Sequence, residues 1–306
     1  MAAANSEGNG QKPRLETFQL FSSSASAFGI FDDAAQQVPH IPPPPCVEVL
    51  ASEVPSSIKH NVDSVNLDGV TLLKGRVNTQ QVFGLSNSNL VPWKYEVGGN
   101  FSSLWSIGGL KLWEGSLDLI KALRSDIRNG LISFSGKRVL EVGSGHGLPG
   151  IFALLEGAAA VHFQDFNAEV LRFLTIPNLN ANLSRDTQLS SFNSTICDKA
   201  EVCFFAGDWS GIDKLLPHVS TDAKNNQGDG YDFILMAETV YSINSLQNLY
   251  DLIKKCLQHP DGVVYMAAKK YYFGVGGGTG VMTSSLVAEI TDGSSNVHEV
   301  WKLAYK

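Results

Sequence analysis

The chain has 306 residues, of which 43% are hydrophobic, 17% charged and 9% aromatic. This composition is that of an ordinary globular protein, and it excludes the fibrous and wholly disordered classes. The formal net charge of −7 argues against a protein that holds nucleic acid mainly through its phosphates, so we expect no direct nucleic-acid binding.

Cysteine spacing and hydropathy bear on the compartment. The chain has four cysteines without CxxC spacing, which favours a reducing compartment over a secreted disulfide framework: Cys46, Cys197, Cys203 and Cys256. No stretch reaches the roughly 18 apolar residues that a membrane span needs, and residues 1–14 lack the apolar core of a signal peptide. We therefore expect a cytoplasmic or nuclear protein, monomeric and without a membrane partner.

The first 110 residues differ in composition from the rest. Residues 1–60 are rich in Ser, Ala, Gln and Pro, and the proline run at 42–45 favours extended backbone, so we predict a disordered leader there. Residues 61–110 contain short apolar stretches at 70–73 and 81–85 between turn formers, which predict an N-terminal extension with short strands. The main domain is then expected over 111–306.

From residue 113 onward, helices and strands alternate. Apolar residues at helical spacing predict a helix over 113–128, ended by Asn129 and Gly130. Five strands are then predicted over 138–142, 161–165, 201–206, 231–237 and 263–268. The helices between them are predicted over 149–156, 167–183, 211–219 and 244–257. This alternation predicts an α/β fold, with right-handed crossovers and a parallel sheet covered on both faces.

The end of the chain departs from this alternation. Residues 284–290 and 298–305 read as strands, and the turn between them contains Asp292 and Gly293. A short turn of this kind is typical of an antiparallel hairpin. We therefore expect a hairpin added after the parallel strands.

A glycine-rich loop follows the first strand of the main domain. Gly145, Gly147 and Gly150 satisfy the GxGxxG spacing at a strand-to-helix junction, and Asp165 follows Gly145 by 20 residues, where a ribose-binding acid is expected. A dinucleotide and S-adenosylmethionine both fit such a loop. Glu141 favours the second, because its carboxylate would repel a pyrophosphate but complement an ammonium and a sulfonium.

Several further motifs occur in a fixed order along the chain. They are GGLKLWE at 108–114, the loop at 143–150, HFQDFN at 162–167, Pro177-Asn178 with Asn182, GDWS at 207–210, ETVY at 238–241 and YFGVGGG at 272–278. Over residues 87–306 this set resembles the seven-β-strand methyltransferases, and within them the histidine protein methyltransferases of the methyltransferase-like 18 type. The resemblance implies a seven-stranded, mainly parallel sheet with a C-terminal antiparallel hairpin, S-adenosylmethionine as cofactor, and no metal.

The resemblance also implies roles for single residues. The segment that closes over the methionine end of the cofactor would be Leu112, Trp113, Glu114, Gly115 and Ser116. The loop floor would be Gly143 and Gly145, beside Glu141. The ribose and adenine contacts would be Gln164, Asp165 and Phe166, with an adenine clamp of Gly207, Asp208 and Trp209. Ala237 matches a cofactor-lining position.

On the acceptor side, the resemblance implies methylation of a histidine in a protein, with large-subunit ribosomal protein L3 as the suspected substrate. Glu238 is then the candidate for orienting the imidazole or accepting its proton, and Tyr241 the candidate for the wall that aligns the ring. Since imidazole is largely neutral at cellular pH, positioning should dominate over activation.

Two departures from the family pattern keep alternatives open. Residues 97–107 separate Tyr95-Glu96 from Gly108-Gly109, which relatives join directly, and only about ten residues, 274–284, stand where relatives place a helix. An inactive form that serves as a ribosome-assembly binding protein is therefore one alternative. A protein-lysine methyltransferase of the same superfamily is the second, and a dinucleotide oxidoreductase, against which Glu141 and the hairpin argue, is the third.

Overall fold

The computed structural model describes residues 45–54, 61–77, 110–189, 200–219, 229–239, 245–270, 282–291 and 297–306. Within these ranges the strands are β1 (Val47–Glu48), β2 (Asn61–Leu67), β3 (Val70–Arg76), β4 (Arg138–Val142), β5 (Ala160–Asp165), β6 (Glu201–Ala206), β7 (Phe233–Ala237), β8 (Val263–Lys269), β9 (Met282–Thr291) and β10 (Val297–Tyr305). The α-helices are α1 (Glu114–Arg128), α2 (Leu148–Leu155), α3 (Ala168–Val170), α4 (Ile176–Leu189) and α5 (Leu246–Cys256). No helix among the described residues is long and apolar enough to span a membrane.

Eight strands form one sheet in the order β1-β6-β5-β4-β7-β8-β10-β9, and β2 and β3 form a separate hairpin. The strands from β6 to β8 are parallel, whereas β10 and β9 are antiparallel additions. The predicted α/β class and C-terminal hairpin are thus confirmed. The sheet has one strand more than the predicted seven, because Val47–Glu48 pairs antiparallel with β6.

The direction of strand addition reverses at β4. From β4 the chain adds β5 and β6 on one side and β7 and β8 on the other. In open parallel sheets a crevice forms outside the carboxyl ends of the strands at such a reversal, and ligands bind in it. The segments that leave these ends begin at Gly143, Phe166, Gly207 and Glu238.

Helices cover both faces of the sheet. Side chains of β4 alternate between the faces, so Val139 lies in the cluster with Leu119 of α1 and Phe152 of α2. Leu140 lies in the opposite cluster with Leu252 of α5. The near-continuous apolar sequence of β4 follows from this double coverage.

Part of the predicted leader is packed against the sheet. Residues 45–54 lie inside the segment predicted to be disordered, yet Val49 is 1% exposed and its N–H donates to the Phe204 carbonyl at 2.8 Å. The rest of that segment lies outside the described residues.

The N-terminal extension contains the predicted strand at 70–73, within the longer β3. Asn182 of α4 accepts from the Leu73 N–H at 2.8 Å and donates to its carbonyl at 2.7 Å, as a neighbouring strand would. Asn178 accepts from the Gly75 N–H at 2.5 Å. The two asparagines of the predicted motif therefore attach the β2–β3 hairpin to the main domain. The other predicted strand, 81–85, lies outside the described residues.

Two predicted helices differ from the structure. The helix expected over 211–219 is wrong, because only a 3₁₀ turn forms there, Ile212–Lys214. Pro217 disfavours helical backbone at the residue before it and has no N–H to donate. The helix expected over 167–183 contains a π-helical turn, Leu171–Thr175, just before Pro177. A proline at 177 cannot donate to a carbonyl one turn earlier, and a wider turn accommodates that loss.

Candidate functional site

The loop after β4 is held in a conformation that requires glycine. Gly143 has φ +67°, and a Cβ atom there would lie 3.2 Å from the side chain of Thr239, which follows β7. Gly147 has φ +70° and is the residue from which α2 begins. Left-handed backbone costs an L-residue roughly 1–2 kcal/mol, so both positions exclude larger side chains. The glycine pattern thus lets the loop lie against the end of β7.

Asp165 is a buried carboxylate directly beside this loop. It is 6% exposed, Oδ2 accepts from the Gly145 N–H at 3.0 Å, and Oδ1 accepts from the Asn167 N–H at 3.0 Å. Burial raises the pKa of Asp165 to about 6, although the backbone N–H groups of Asn167 and Gly145 oppose that rise. An ionised carboxylate has about four acceptor positions, so Asp165 retains capacity for a ribose hydroxyl.

Gln164, in β5, connects the segments that follow the neighbouring strands β4 and β6. Its side chain is fully buried; Nε2 donates to the Gly207 carbonyl at 2.9 Å, and Oε1 accepts from Trp209 Nε1 at 3.1 Å and from the Gly143 N–H at 3.3 Å. These bonds use the amide on protein groups. The structure therefore shows that Gln164 holds these loops together, and its direct contact with the cofactor stays a prediction.

The predicted adenine clamp lies beside the N-terminal segment. Gly207 has φ +148°, and a Cβ atom there would lie 2.4 Å from Cys46 Sγ and 2.8 Å from Cys46 Cα. Asp208 Oδ1 accepts from the Ser210 N–H at 2.9 Å, which fixes the turn that presents Trp209. Trp209 and Phe166 are both half-buried, so each retains surface that a planar base can cover.

Glu141, which is predicted to complement the positive charges of the cofactor, lies beneath the glycine loop. The residue is 3% exposed, and Oε2 accepts from the Gly150 N–H at 2.8 Å, in the first turn of α2. Burial raises the pKa of Glu141 well above its ordinary range, and the Gly150 N–H opposes that rise. Its carboxyl group thus satisfies a helix N-terminus beneath the loop.

The predicted lid residues surround the start of α1. Trp113 is the residue before the helix and is 37% exposed, with Lys111 Nζ 4.6 Å from its ring centroid. Glu114 is exposed, and Leu112 and Ser116 are half-buried. The fifth lid residue, Gly115, is buried, and a Cβ atom there would lie 3.0 Å from Glu238 Cγ and Oε1. The start of α1 therefore meets the end of β7 through Gly115 and Glu238.

Glu238 is held in a conformation unusual for its residue type. It has φ +53°, one of two non-glycine residues with positive φ among the described residues, and its side chain is 6% exposed. Its N–H donates to the Ala267 carbonyl at 2.8 Å. Burial raises the pKa of Glu238, while His298 and Lys269 oppose that rise and Asp118 and Glu114 add to it. Backbone strain of this kind concentrates at functional sites.

His298 and Asp118 lie behind Glu238, and no motif or spacing in the sequence pointed to either residue. His298 Nδ1 is 3.0 Å from Asp118 Oδ2 across 180 positions of the chain. Ala237, predicted to line the cofactor, is half-buried at the end of β7. Tyr241, the inserted residues 97–107 and the segment 274–281 before the hairpin lie outside the described residues.

Buried polar atoms in the glycine loop test whether a ligand fits there. Ser144 Oγ and His146 Nδ1 are buried and have no hydrogen-bond partner in the described part of the chain. Burial lowers the pKa of His146 to about 4, so its imidazole is neutral at pH 7. Buried polar groups are normally satisfied, so an unpartnered hydroxyl beside Gly143 and Gly145 marks a place for a polar ligand.

Comparison with known proteins decides the family. No family model matches the chain. The histidine protein methyltransferase 1 homolog of Dictyostelium discoideum is 38% identical over 232 residues, which are 72% of this chain and 62% of that protein. The homolog of Bos taurus is 31% identical over 281 residues, which are 83% of this chain and 69% of that protein. The chain belongs to the histidine protein methyltransferase 1 family. The resemblance read from the motifs is thus confirmed.

Family membership assigns the cofactor as S-adenosylmethionine. The residues present fit it: a glycine loop with an unpartnered Ser144 hydroxyl, the buried acid Asp165, and half-buried aromatic rings at 166 and 209. A protein of Streptococcus mutans described as an S-adenosylmethionine-dependent methyltransferase has a related solved structure, with 14% identity and a TM-score of 0.43 over 79% of this chain and 55% of that one. The chain spans 62% of the length of the Dictyostelium relative.

Proposed function

We propose that this chain transfers a methyl group from S-adenosylmethionine to an imidazole nitrogen of a histidine in a protein. The observation that carries the proposal is Glu238: a strained, buried carboxylate at the end of β7, across from the glycine loop and against the start of α1. A carboxylate there can accept the N–H of one imidazole nitrogen, which leaves the lone pair of the other nitrogen free to attack.

The cofactor supplies an electrophilic methyl group on a sulfonium. The work of the chain is then to bind and to orient. Asp165 would hold the ribose hydroxyls, and Trp209 and Phe166 would cover the adenine. Glu238 would select the tautomer of the acceptor ring, with Tyr241 as the wall that aligns it. Imidazole, with an ordinary pKa near 6.5, is mostly neutral at pH 7, so orientation supplies most of the rate.

We propose a histidine of large-subunit ribosomal protein L3 as the target, in the cytoplasm, the nucleus or both. The resemblance of the motifs to the methyltransferase-like 18 type supports the target. Cys46, Cys203 and Cys256 are free thiols, which suits a reducing compartment. The net charge of −7 suits recognition of a basic ribosomal protein rather than of RNA, and we propose that the chain acts as a monomer.

The test is a methylation assay on ribosomal extract from cells that lack the activity, with radiolabelled S-adenosylmethionine. Amino-acid analysis of the labelled protein should yield methylhistidine. Asp165→Ala should lose most labelling through weaker cofactor binding, and Glu238→Gln should lose it at unchanged cofactor affinity.

Three results would count against the proposal. Methyllysine in the hydrolysate would replace it with lysine methylation. Binding of a nicotinamide cofactor, with no binding of S-adenosylmethionine, would point to an oxidoreductase. Ribosomal association without methyl transfer by the purified protein would indicate the inactive binding protein.

A further inference from the structure

A line of buried polar side chains leads from Glu238 into the protein. Glu238 Oε1 lies 3.6 Å from His298 Nε2, and His298 Nδ1 lies 3.0 Å from Asp118 Oδ2. The three side chains are only 6 or 7% exposed. Lys121 Nζ, which is close to the surface, lies 3.1 Å from Asp118 Oδ1 and ends the line. Three elements distant in sequence, β7, β10 and α1, therefore contribute one polar chain.

The contact with Asp118 determines which nitrogen of His298 faces Glu238. A carboxylate only accepts hydrogen bonds. Nδ1 of His298 must therefore carry a proton and donate a hydrogen bond to Asp118. The neutral ring then has its lone pair on Nε2, the atom that faces Glu238. Nε2 is buried and has no hydrogen-bond partner within the described ranges, since 3.6 Å is just beyond bonding distance. It is thus a proton acceptor held behind Glu238.

We propose that His298, oriented by Asp118, is a positioning residue for Glu238: it takes from the Glu238 carboxylate the proton that the methylated imidazole releases, and so returns that carboxylate to its ionised form. This inference rests on the proposed function. Neither His298 nor Asp118 touches the reacting atoms in this scheme, and of these three residues only Glu238 contacts the substrate.

The proton balance follows from the chemistry of the acceptor. A bond forms between the imidazole nitrogen and the methyl carbon as the methyl–sulfur bond breaks, and the electron pair of that bond stays on sulfur. The acceptor ring becomes a methylimidazolium with one N–H. That proton passes to the Glu238 carboxylate and then to Nε2 of His298, where Asp118 stabilises the resulting imidazolium. Release to solvent restores the neutral ring before the next turnover.

Charge around Glu238 makes this support necessary. Among the described residues, the charged or titratable groups that act on it are Glu114 and Asp118 of α1, Lys269 of β8 and His298 of β10. Burial and the two α1 carboxylates favour the protonated form of Glu238, whereas Lys269 and His298 favour the ionised form. Removal of His298 leaves Lys269 as the only group in this set that favours ionisation.

The experiment compares His298→Gln and Asp118→Asn with wild type, and uses His259→Gln, at an exposed histidine, as the matched control. Carboxyl ¹³C NMR of glutamate-labelled full-length protein, with the signal assigned by Glu238→Gln, follows the ionisation of Glu238. We expect His298→Gln to raise the apparent pKa of Glu238 by about 1, a tenfold change in its ionised-to-protonated ratio. The acid limb of kcat should move by the same amount, with KM for S-adenosylmethionine within about twofold. Asp118→Asn removes the contact that orients His298 but also one of the carboxylates that favour protonation of Glu238, so we expect the pKa of Glu238 to shift much less in it than in His298→Gln.

The outcomes separate this inference from the proposed function. An unchanged Glu238 titration in His298→Gln, at a melting temperature close to wild type, overturns the positioning role, whatever the methyl acceptor is. If His298→Gln is unstable, the titration of Glu238 in His298→Asn decides in the same way. A raised pKa together with methyllysine as the product keeps the coupling and refutes histidine methylation instead.

Discussion

Asp165→Asn should make the ligand-free protein more stable while it removes cofactor binding. The pKa of Asp165 rises from its ordinary 3.8 to about 6, chiefly because the carboxylate is buried. At 1.36 kcal/mol per pKa unit, keeping this carboxylate charged at pH 7 costs roughly 3 kcal/mol. Asn carries no charge but has one acceptor oxygen, so one of the two N–H bonds from Gly145 and Asn167 is lost, at about 1–1.5 kcal/mol. The variant should therefore gain about 1–2 kcal/mol.

The pH dependence gives the sign of this effect. Because the pKa of Asp165 is higher in the folded than in the unfolded protein, its protonation stabilises the fold fully below about pH 4, and this contribution is lost as the pH rises through about 6. The advantage of Asp165→Asn should thus be present at pH 7–8, shrink through pH 6, and reverse near pH 4, where only the lost hydrogen bond remains.

Urea denaturation at pH 8, 6 and 4.5 measures the free energy of unfolding, and calorimetry with S-adenosylhomocysteine measures binding. We expect at least a 30-fold loss of affinity, about 2 kcal/mol, in the variant. The reasoning is refuted if Asp165→Asn is less stable than wild type throughout pH 6–8, because the buried carboxylate would then carry no net cost.

Three further substitutions test the packing around the site. Gly115→Ala places a Cβ atom 3.0 Å from Glu238, so we expect the rate of methyl transfer to fall about tenfold, as measured by kinetics. The stability should stay equal or rise, because Ala favours the helix, and thermal melts measure it. Gly207→Ala directs a Cβ into Cys46, so the Cys46 thiol should react faster with Ellman's reagent. Asn182→Ala removes both bonds to the β2–β3 hairpin at a cost of about 2 kcal/mol, measurable by urea denaturation.

Matched controls exist for two of these variants. Gly130 also has a positive φ, +68° against +148° at Gly207, but a Cβ atom there would meet nothing within 4 Å, so Gly130→Ala should leave the reactivity of the Cys46 thiol unchanged. Asn129→Ala removes an exposed asparagine and should cost less than about 0.5 kcal/mol. Equal effects in control and test variants would contradict the packing argument, as would an active Gly115→Ala enzyme.

The sequence predicted the central strands well because each is an apolar run bounded by turn formers. The strands at 138–142 and 201–206 occur at the predicted residues, and the loop after β4 lies where its glycines indicated. A strand buried on both faces has few residue types available, so its pattern is unambiguous. The helix at 211–219 was wrong because helical spacing of apolar residues outweighed the effect of Pro217 in the prediction.

Long-range side-chain contacts could not be read from the sequence. Glu238 belongs to a motif, but its partner His298 lies in a hairpin strand in which residues 298–301 are all buried, so no local pattern distinguishes it from its neighbours. His298 and Asp118 are 180 positions apart, so their contact leaves no local pattern in the sequence. Similarly, the predicted cofactor contact of Gln164 comes from the family resemblance, and that of Glu141 comes from the charge of its carboxylate. Their burial beneath the loops depends on tertiary packing, which single-sequence patterns do not encode.

The two-residue strand β1 has a consequence for handling the protein. An uncovered sheet edge is a template on which other chains can pair, and short, charged strands are one means of blocking it. Val47–Glu48 cover the carboxyl end of β6 at one edge, and Cys46 lies against Gly207 there. A version of the protein trimmed at residue 54 would lose this cover, and with it both resistance to aggregation and the contact of Cys46 with Gly207.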